Sequence, residues 1–115
     1  MKYDLEDRTL IFAKKVVLFC KSLSQDIITI ELIRQLIRSA CSIGANYREA
    51  NDALGRKDFV HRLRIARKEA KETLYWLELM SSAKSTTANI ENLMRECTEI
   101  RNILSAIIKK SVDSA

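Results

Sequence analysis

The stretch Ile30–Ala53, IELIRQLIRSACSIGANYREANDA, decides the fold. Through it Ile33, Leu36, Ala40, Ile43, Tyr47 and Ala50 recur at spacings of three and four. That rhythm matches the α-helical period of about 3.6 residues and not the two-residue alternation of a strand. Thr29 stands at its N-cap and Gly55 reads as the stop that follows it. Gly44 falls in the middle, where it costs about 1 kcal/mol relative to alanine. With Ala40 one turn back, it predicts a close approach by another helix. Ser39 and Asn46 lie on the edge of the same apolar face, and a hydrogen bond from Asn46 to Glu69 or Glu72 would fix the register of two helices.

Three more periodic segments flank this one. The first helix is predicted from Leu5 to Leu23, with Asp4 as its cap, Glu6 and Asp7 at the positive end of its dipole, and Leu5, Phe12, Val16, Phe19 and Leu23 on its core stripe. Leu10 with Val17, and Ile11 with Leu18, add two further apolar columns, more than one core can cover. A third helix is predicted from Lys57 to Ser81, with Phe59, Leu63, Ala66, Ala70, Thr73 and Leu77 facing inward. After the polar break Ser82–Thr86, a fourth begins near Thr87 and carries Ile90, Leu93, Cys97, Ile100, Leu104 and Ile107 on one face. Short connections place consecutive helices antiparallel, so the expected fold is a single all-α domain over residues 1–115, an up-down-up-down four-helix bundle.

Composition agrees with that reading. The 115 residues include no proline and two glycines, too few turn formers for a β-rich or disulfide-stapled domain. Cys20, Cys41 and Cys97 are widely spaced and read as small apolar residues on helix faces. The opening MKYDLEDR holds three acids, which argues against a signal peptide, and the longest uncharged run, Ser39–Tyr47, is far short of a membrane span. A cytoplasmic protein is expected.

Charge is distributed unevenly. Residues 56–71 hold seven Lys/Arg and two acids, whereas the remaining 99 residues hold thirteen of each. The whole net charge of +5 thus resides on one short segment. On a helix, Lys57, Arg64, Lys68 and Lys71 fall within about 60° of one another, opposite the core face, with His61 beside them. Arg34, Arg38 and Arg48 add a weaker stripe on the second helix. Clustered cations suit phosphate backbones, and they also suit an acidic protein partner. Tyr75 is the single aromatic near the stripe that could stack on a base. Ile65 and Trp76 occupy a further face of the third helix, and together with the crowded first helix they predict contacts between copies of the chain.

Convergent chemistry is missing from the sequence. One histidine excludes paired Glu-x-x-His ligands and HExxH, and there is no glycine-rich phosphate loop and no G-x-S-x-G. Glu69/Glu72 and Glu96/Glu99 each have basic neighbours and read as ion-pairing residues on helix surfaces. No enzymatic activity, catalytic residue, metal or cofactor is expected.

QLIRSACSIGANYREA (Gln35–Ala50) and RKDFVHRLRIARKEAKETLYWLELM (Arg56–Met80) resemble the bacterial proteins encoded within intervening sequences of the 23S ribosomal RNA gene. Gly44, Asn46 and Tyr47 match that family's second-helix motif, and Glu69, Glu72, Trp76 and Glu78 its third-helix motif. The resemblance implies a left-handed four-helix bundle assembled as a ring-shaped homopentamer. It also implies a distant relation to the basic accessory protein of diversity-generating retroelements, which works with a reverse transcriptase and RNA. Two functions are therefore expected in competition: a non-enzymatic oligomer binding RNA or DNA, or an oligomeric adaptor docking an acidic protein.

Overall fold

Aspartates open the first two helices. In the computed structural model, which describes residues 4–83 and 87–114, Asp4 accepts the Asp7 N–H at 2.9 Å and α1 runs Leu5–Lys21. α2 runs Ile27–Asn51, α3 Arg56–Ala83 and α4 Thr87–Asp113. The protein is therefore all-α with four helices, as the periodicity predicts.

Helix boundaries differ from expectation at several points, most of them for a local reason. α1 stops at Lys21, before Leu23, because Ser22 turns back and its hydroxyl donates to the Phe19 carbonyl at 2.6 Å. α2 begins three residues before Ile30, because Asp26 and not Thr29 is its cap. The Asp26 carboxylate accepts both the backbone N–H of Thr29, at 2.9 Å, and its hydroxyl, at 2.8 Å. Ile27 and Ile28 in that first turn are exposed, so their apolarity gave no periodic signal. Gly55 is not a left-handed stop, since no described residue has a positive φ; α2 has already ended at Asn51, with Asp52 as its C-cap, and the Gly55 carbonyl accepts the Phe59 N–H that opens α3. Of the expected break between the last two helices, Ser82 and Ala83 belong to α3, and residues 84–86 lie outside those described.

Four stripes meet in one apolar core. α1 contributes Leu5, Phe12, Val16, Phe19 and Cys20, with the buried Thr9 completing its inner face. Thr9 escapes a search for apolar residues because its hydroxyl is satisfied within its own helix, donating to the Leu5 and Glu6 carbonyls. From α2 come Leu36, Ala40, Ile43 and Ala50, while Ile33 and Tyr47 pack at the margin, half-buried. α3 turns in Val60 in preference to Phe59, and α4 Ile108 in preference to Ile107. A strict seven-residue repeat drifts by about 20° per heptad on a straight helix, which brings Ile108 inward of Ile107 at the end of α4; the turn of Val60 towards the core is not explained by this drift. Cys41, expected on an apolar face, is exposed; Cys20 and Cys97 are buried.

Packing follows the cyclic order α1, α2, α3, α4. α2 and α3 share the broadest contact, and α1 and α4 the narrowest. The molecule is elongated, 48 × 28 × 20 Å, with its long axis set by helices of 25 to 28 residues, whereas α1 has only 17. One hydrogen bond ties α2 to α3 in the core: the Thr73 hydroxyl donates to the Ser39 hydroxyl at 2.9 Å. It takes the role expected of Asn46, whose amide instead donates to the Ser42 carbonyl in its own helix.

Candidate nucleic-acid interface

The basic stripe is the outer side of the helix whose inner side is the core. Val60, Leu63, Ala66, Ala70, Thr73, Leu77 and Met80 anchor α3, which sets the phase of every other residue on it. Lys57, His61, Arg64, Lys68, Lys71 and Tyr75 consequently all stand exposed. From Lys57 to Lys71 the stripe spans about 21 Å at 1.5 Å per residue.

Ion pairing divides the seven cations singled out in the sequence. On α2, Arg34 lies 3.7 Å from Glu31, and Arg48 lies 3.9 Å from Glu6 of α1. Arg38 reaches across to α3, with Nη1 3.4 Å from Glu69 and Nη2 3.4 Å from Glu72. Each α2 arginine thus has a carboxylate. The four α3 cations do not: among the described residues no carboxylate lies within 4.0 Å of Lys57, Arg64, Lys68 or Lys71. Like charges so arranged repel by a few tenths of a kcal/mol per neighbouring pair.

The glutamate pairs have interhelical partners, not the intrahelical ones their spacing suggested. Arg38 straddles Glu69 and Glu72 from α2, and Arg8 straddles Glu96 and Glu99 from α1. Arg8 is the tighter clamp. Nε and Nη2 each donate to Glu96 at 2.8 Å, Nη2 also donates to Glu99 at 3.1 Å, and these bonds push the guanidinium pKa well up. Burial, with Glu72 beside it, raises the Glu69 pKa above the ordinary 4.5 despite the opposing pull of Arg38. These pairings join residues 31 to 91 positions apart, so only the packing register could reveal them.

On the face between stripe and core, Ile65 and Trp76 are half-buried, and Trp76 packs against the core cluster. Its Nε1 is buried and meets no acceptor among the described residues. The Tyr75 and Trp76 rings meet edge to face, with centroids 5.1 Å apart and planes at 75°. On α1, Leu10 and Leu18 are exposed while Ile11 and Val17 are half-buried, so the surplus apolar columns remain largely open in the single chain.

No group of three or more His, Cys, Asp or Glu among the described residues is placed to hold a metal ion. Burial pushes the Cys20 thiol up to about 11 and the Cys97 thiol up to about 12, which keeps both protonated at neutral pH. No described helix is long and apolar enough to cross a membrane.

Comparison with known proteins matches residues 2–106 to the model of one family, the 23S rRNA-intervening sequence proteins. A crystal structure of a protein of unknown function from the S23 ribosomal protein family of Bacteroides thetaiotaomicron VPI-5482 superposes with a TM-score of 0.84 at 42% identity, covering 91% of this chain and 98% of that one. No curated protein matches.

Proposed function

This chain belongs to the 23S rRNA-intervening sequence protein family, and from that premise we propose that it is a non-enzymatic bundle that binds nucleic acid, RNA foremost, through Lys57, Arg64, Lys68 and Lys71. The observation that carries this reading is the row of four exposed cations on one helix face with no described carboxylate within 4.0 Å. Phosphate backbones are bound by such clustered cations through release of condensed counterions, and sequence plays little part. Arg34, Arg38 and Arg48 form a flanking reserve of positive charge on α2, already partnered in the free protein.

The proposal extends to architecture and assembly. The helices form an up-down-up-down bundle, and copies of the chain join as a ring, a homopentamer by family resemblance, through Leu10, Ile11, Val17 and Leu18 of α1 with Ile65 and Trp76 of α3. Several stripes on one ring would bind a strand with far greater avidity than one alone. A cytoplasmic location, where RNA is accessible, fits this function.

Salt-dependent gel shift tests the reading. At 50 mM salt the protein should bind structured RNA with little sequence preference, and changing Lys57, Arg64, Lys68 and Lys71 to glutamine should abolish binding without loss of helicity. If the unaltered protein binds no nucleic acid at that salt, the stripe belongs to an acidic protein partner and the chain is an adaptor. Light scattering that finds a 13.2 kDa particle at micromolar concentration would overturn the assembly.

A further inference from the structure

We infer that the stripe and Tyr75 form one continuous site for an unpaired nucleic-acid strand, in which the four cations hold phosphates and a base stacks on the Tyr75 ring. This inference rests on the reading of the stripe as a phosphate-binding face, and adds to it the class of strand.

Position makes the first argument. Tyr75 follows Lys57 by eighteen residues, or about five complete helical turns, so it lies on the same line along α3. It follows Lys71 by one turn. The line from Lys57 to Tyr75 is about 27 Å long and bears Lys57, Arg64, Lys68 and Lys71 with His61 among them, while Glu72, at the edge of the line one turn before the ring, is paired with Arg38. Beyond the ring the sign reverses: Glu78, one turn further on and exposed, repels a phosphate. The charged backbone is thus favoured as far as Lys71, and what lies over Tyr75 is best an uncharged group.

Exposure and bracing make the second. Phe12 and Phe19 are in the core, and Tyr47, Phe59 and Trp76 are half-buried against it. Tyr75 alone among the described aromatics stands open, at 59% exposure. Its edge-to-face contact with Trp76, at 5.1 Å, holds the ring against a side chain that is itself packed on the core. A contact of that geometry leaves at least one face of the phenol ring uncovered by Trp76. Every base has a π-face, so stacking there is sequence-tolerant, as are the phosphate contacts. In a duplex those faces are already stacked on neighbouring bases. The site therefore prefers a single strand or a loop.

Fluorescence anisotropy at 50 mM salt with a labelled twelve-nucleotide oligo-uridine and a twelve-base-pair RNA duplex tests this. Tyr75→Ala should weaken oligo-uridine binding between about five-fold and a hundred-fold, the loss that one stacked base accounts for, and leave the duplex unchanged. Tyr75→Phe should bind like the unaltered protein. If Tyr75→Ala binds oligo-uridine as well as the unaltered protein, while glutamine at the four cations still abolishes binding, the stacking site is overturned and the phosphate-binding face survives. If the unaltered protein binds neither probe, both fall.

Discussion

Gly44 of α2 lies so close to Thr9 of α1 that a Cβ on the glycine would stand 2.8 Å from the Thr9 Oγ1 and 3.1 Å from its Cβ. Thr9 cannot readily yield. It is buried, β-branched, and held by hydroxyl bonds to the Leu5 and Glu6 carbonyls. Gly44→Ala should therefore destabilise the protein by about 1 kcal/mol or more even though alanine is the better helix former. In a Thr9→Ala background the 2.8 Å contact no longer exists while the 3.1 Å approach to the Cβ of residue 9 remains, so part of that cost should vanish. A double-mutant cycle by urea unfolding measures this coupling, and additive losses would show that the contact is not the reason for the glycine.

The Arg8 clamp is the strongest polar link across the narrowest helix contact. Arg8→Met keeps the aliphatic stem and removes the guanidinium, leaving Glu96 and Glu99 facing each other. The expected loss is about 1–3 kcal/mol, and hydrogen exchange should accelerate in α1 more than in α3. Unchanged stability, or a uniform rise in exchange, would mean that the clamp does not hold α1 in place.

Glu69 carries a pH signature of definite sign. Its carboxyl holds a proton more tightly in the folded chain than its ordinary value of 4.5 allows, first through burial and then through Glu72, with Arg38 opposing both. The stability this contributes is present in acid and is lost as pH rises from 4.5 through the folded value. Against Glu69→Gln, which does not titrate, the natural protein should lose ground steadily across that window in unfolding experiments. A difference independent of pH would refute the shift.

Trp76 holds a buried N–H without a described acceptor. An unsatisfied donor costs about 1–3 kcal/mol, so Trp76→Phe, which removes the donor along with some packing, should change stability by less than about 1 kcal/mol. Trp76→Ala, which removes the ring altogether, should cost about 3 kcal/mol or more. A large loss in the phenylalanine variant would reveal that the indole finds an acceptor in solution, and the place to look would be a second copy of the chain.

These four cases also mark what sequence can convey. Much that depends on one helix was legible: the Asp4 cap, the phase of Leu36, Ala40 and Ile43, and the separation of the α3 cations from the core. The Asp26 cap, the end of α1 at Lys21 and the buried Thr9 were not, because polar side chains that bond locally leave no mark on an apolar period. Glycine at position 44 even announced a close neighbour. What depends on the register of two helices was not legible. Asn46 was expected to bridge to Glu69 or Glu72, yet Arg38 reaches them and the interhelical bond in the core falls to Ser39 and Thr73. Rotating one helix by a single residue would have exchanged those partners, and no spacing within one segment encodes that choice. Among the stripe residues, the absence of nearby carboxylates on Lys57, Arg64, Lys68 and Lys71 is likewise a three-dimensional fact.

The mismatch between the 17 residues of α1 and the 27 of α4 makes opening of the bundle directional. The shortest helix, with the thinnest seam, is the first that can detach, while α2, α3 and α4 keep most of their mutual packing. The cysteines happen to record that order. Cys41 is at the surface, Cys20 is covered on the helix that leaves first, and Cys97 is deep in the part that remains. A thiol reagent added to the native protein would thus meet three successive events: immediate reaction at Cys41, reaction at Cys20 paced by excursions of α1, and reaction at Cys97 only when the whole molecule comes apart. The chain carries its own clock for unfolding.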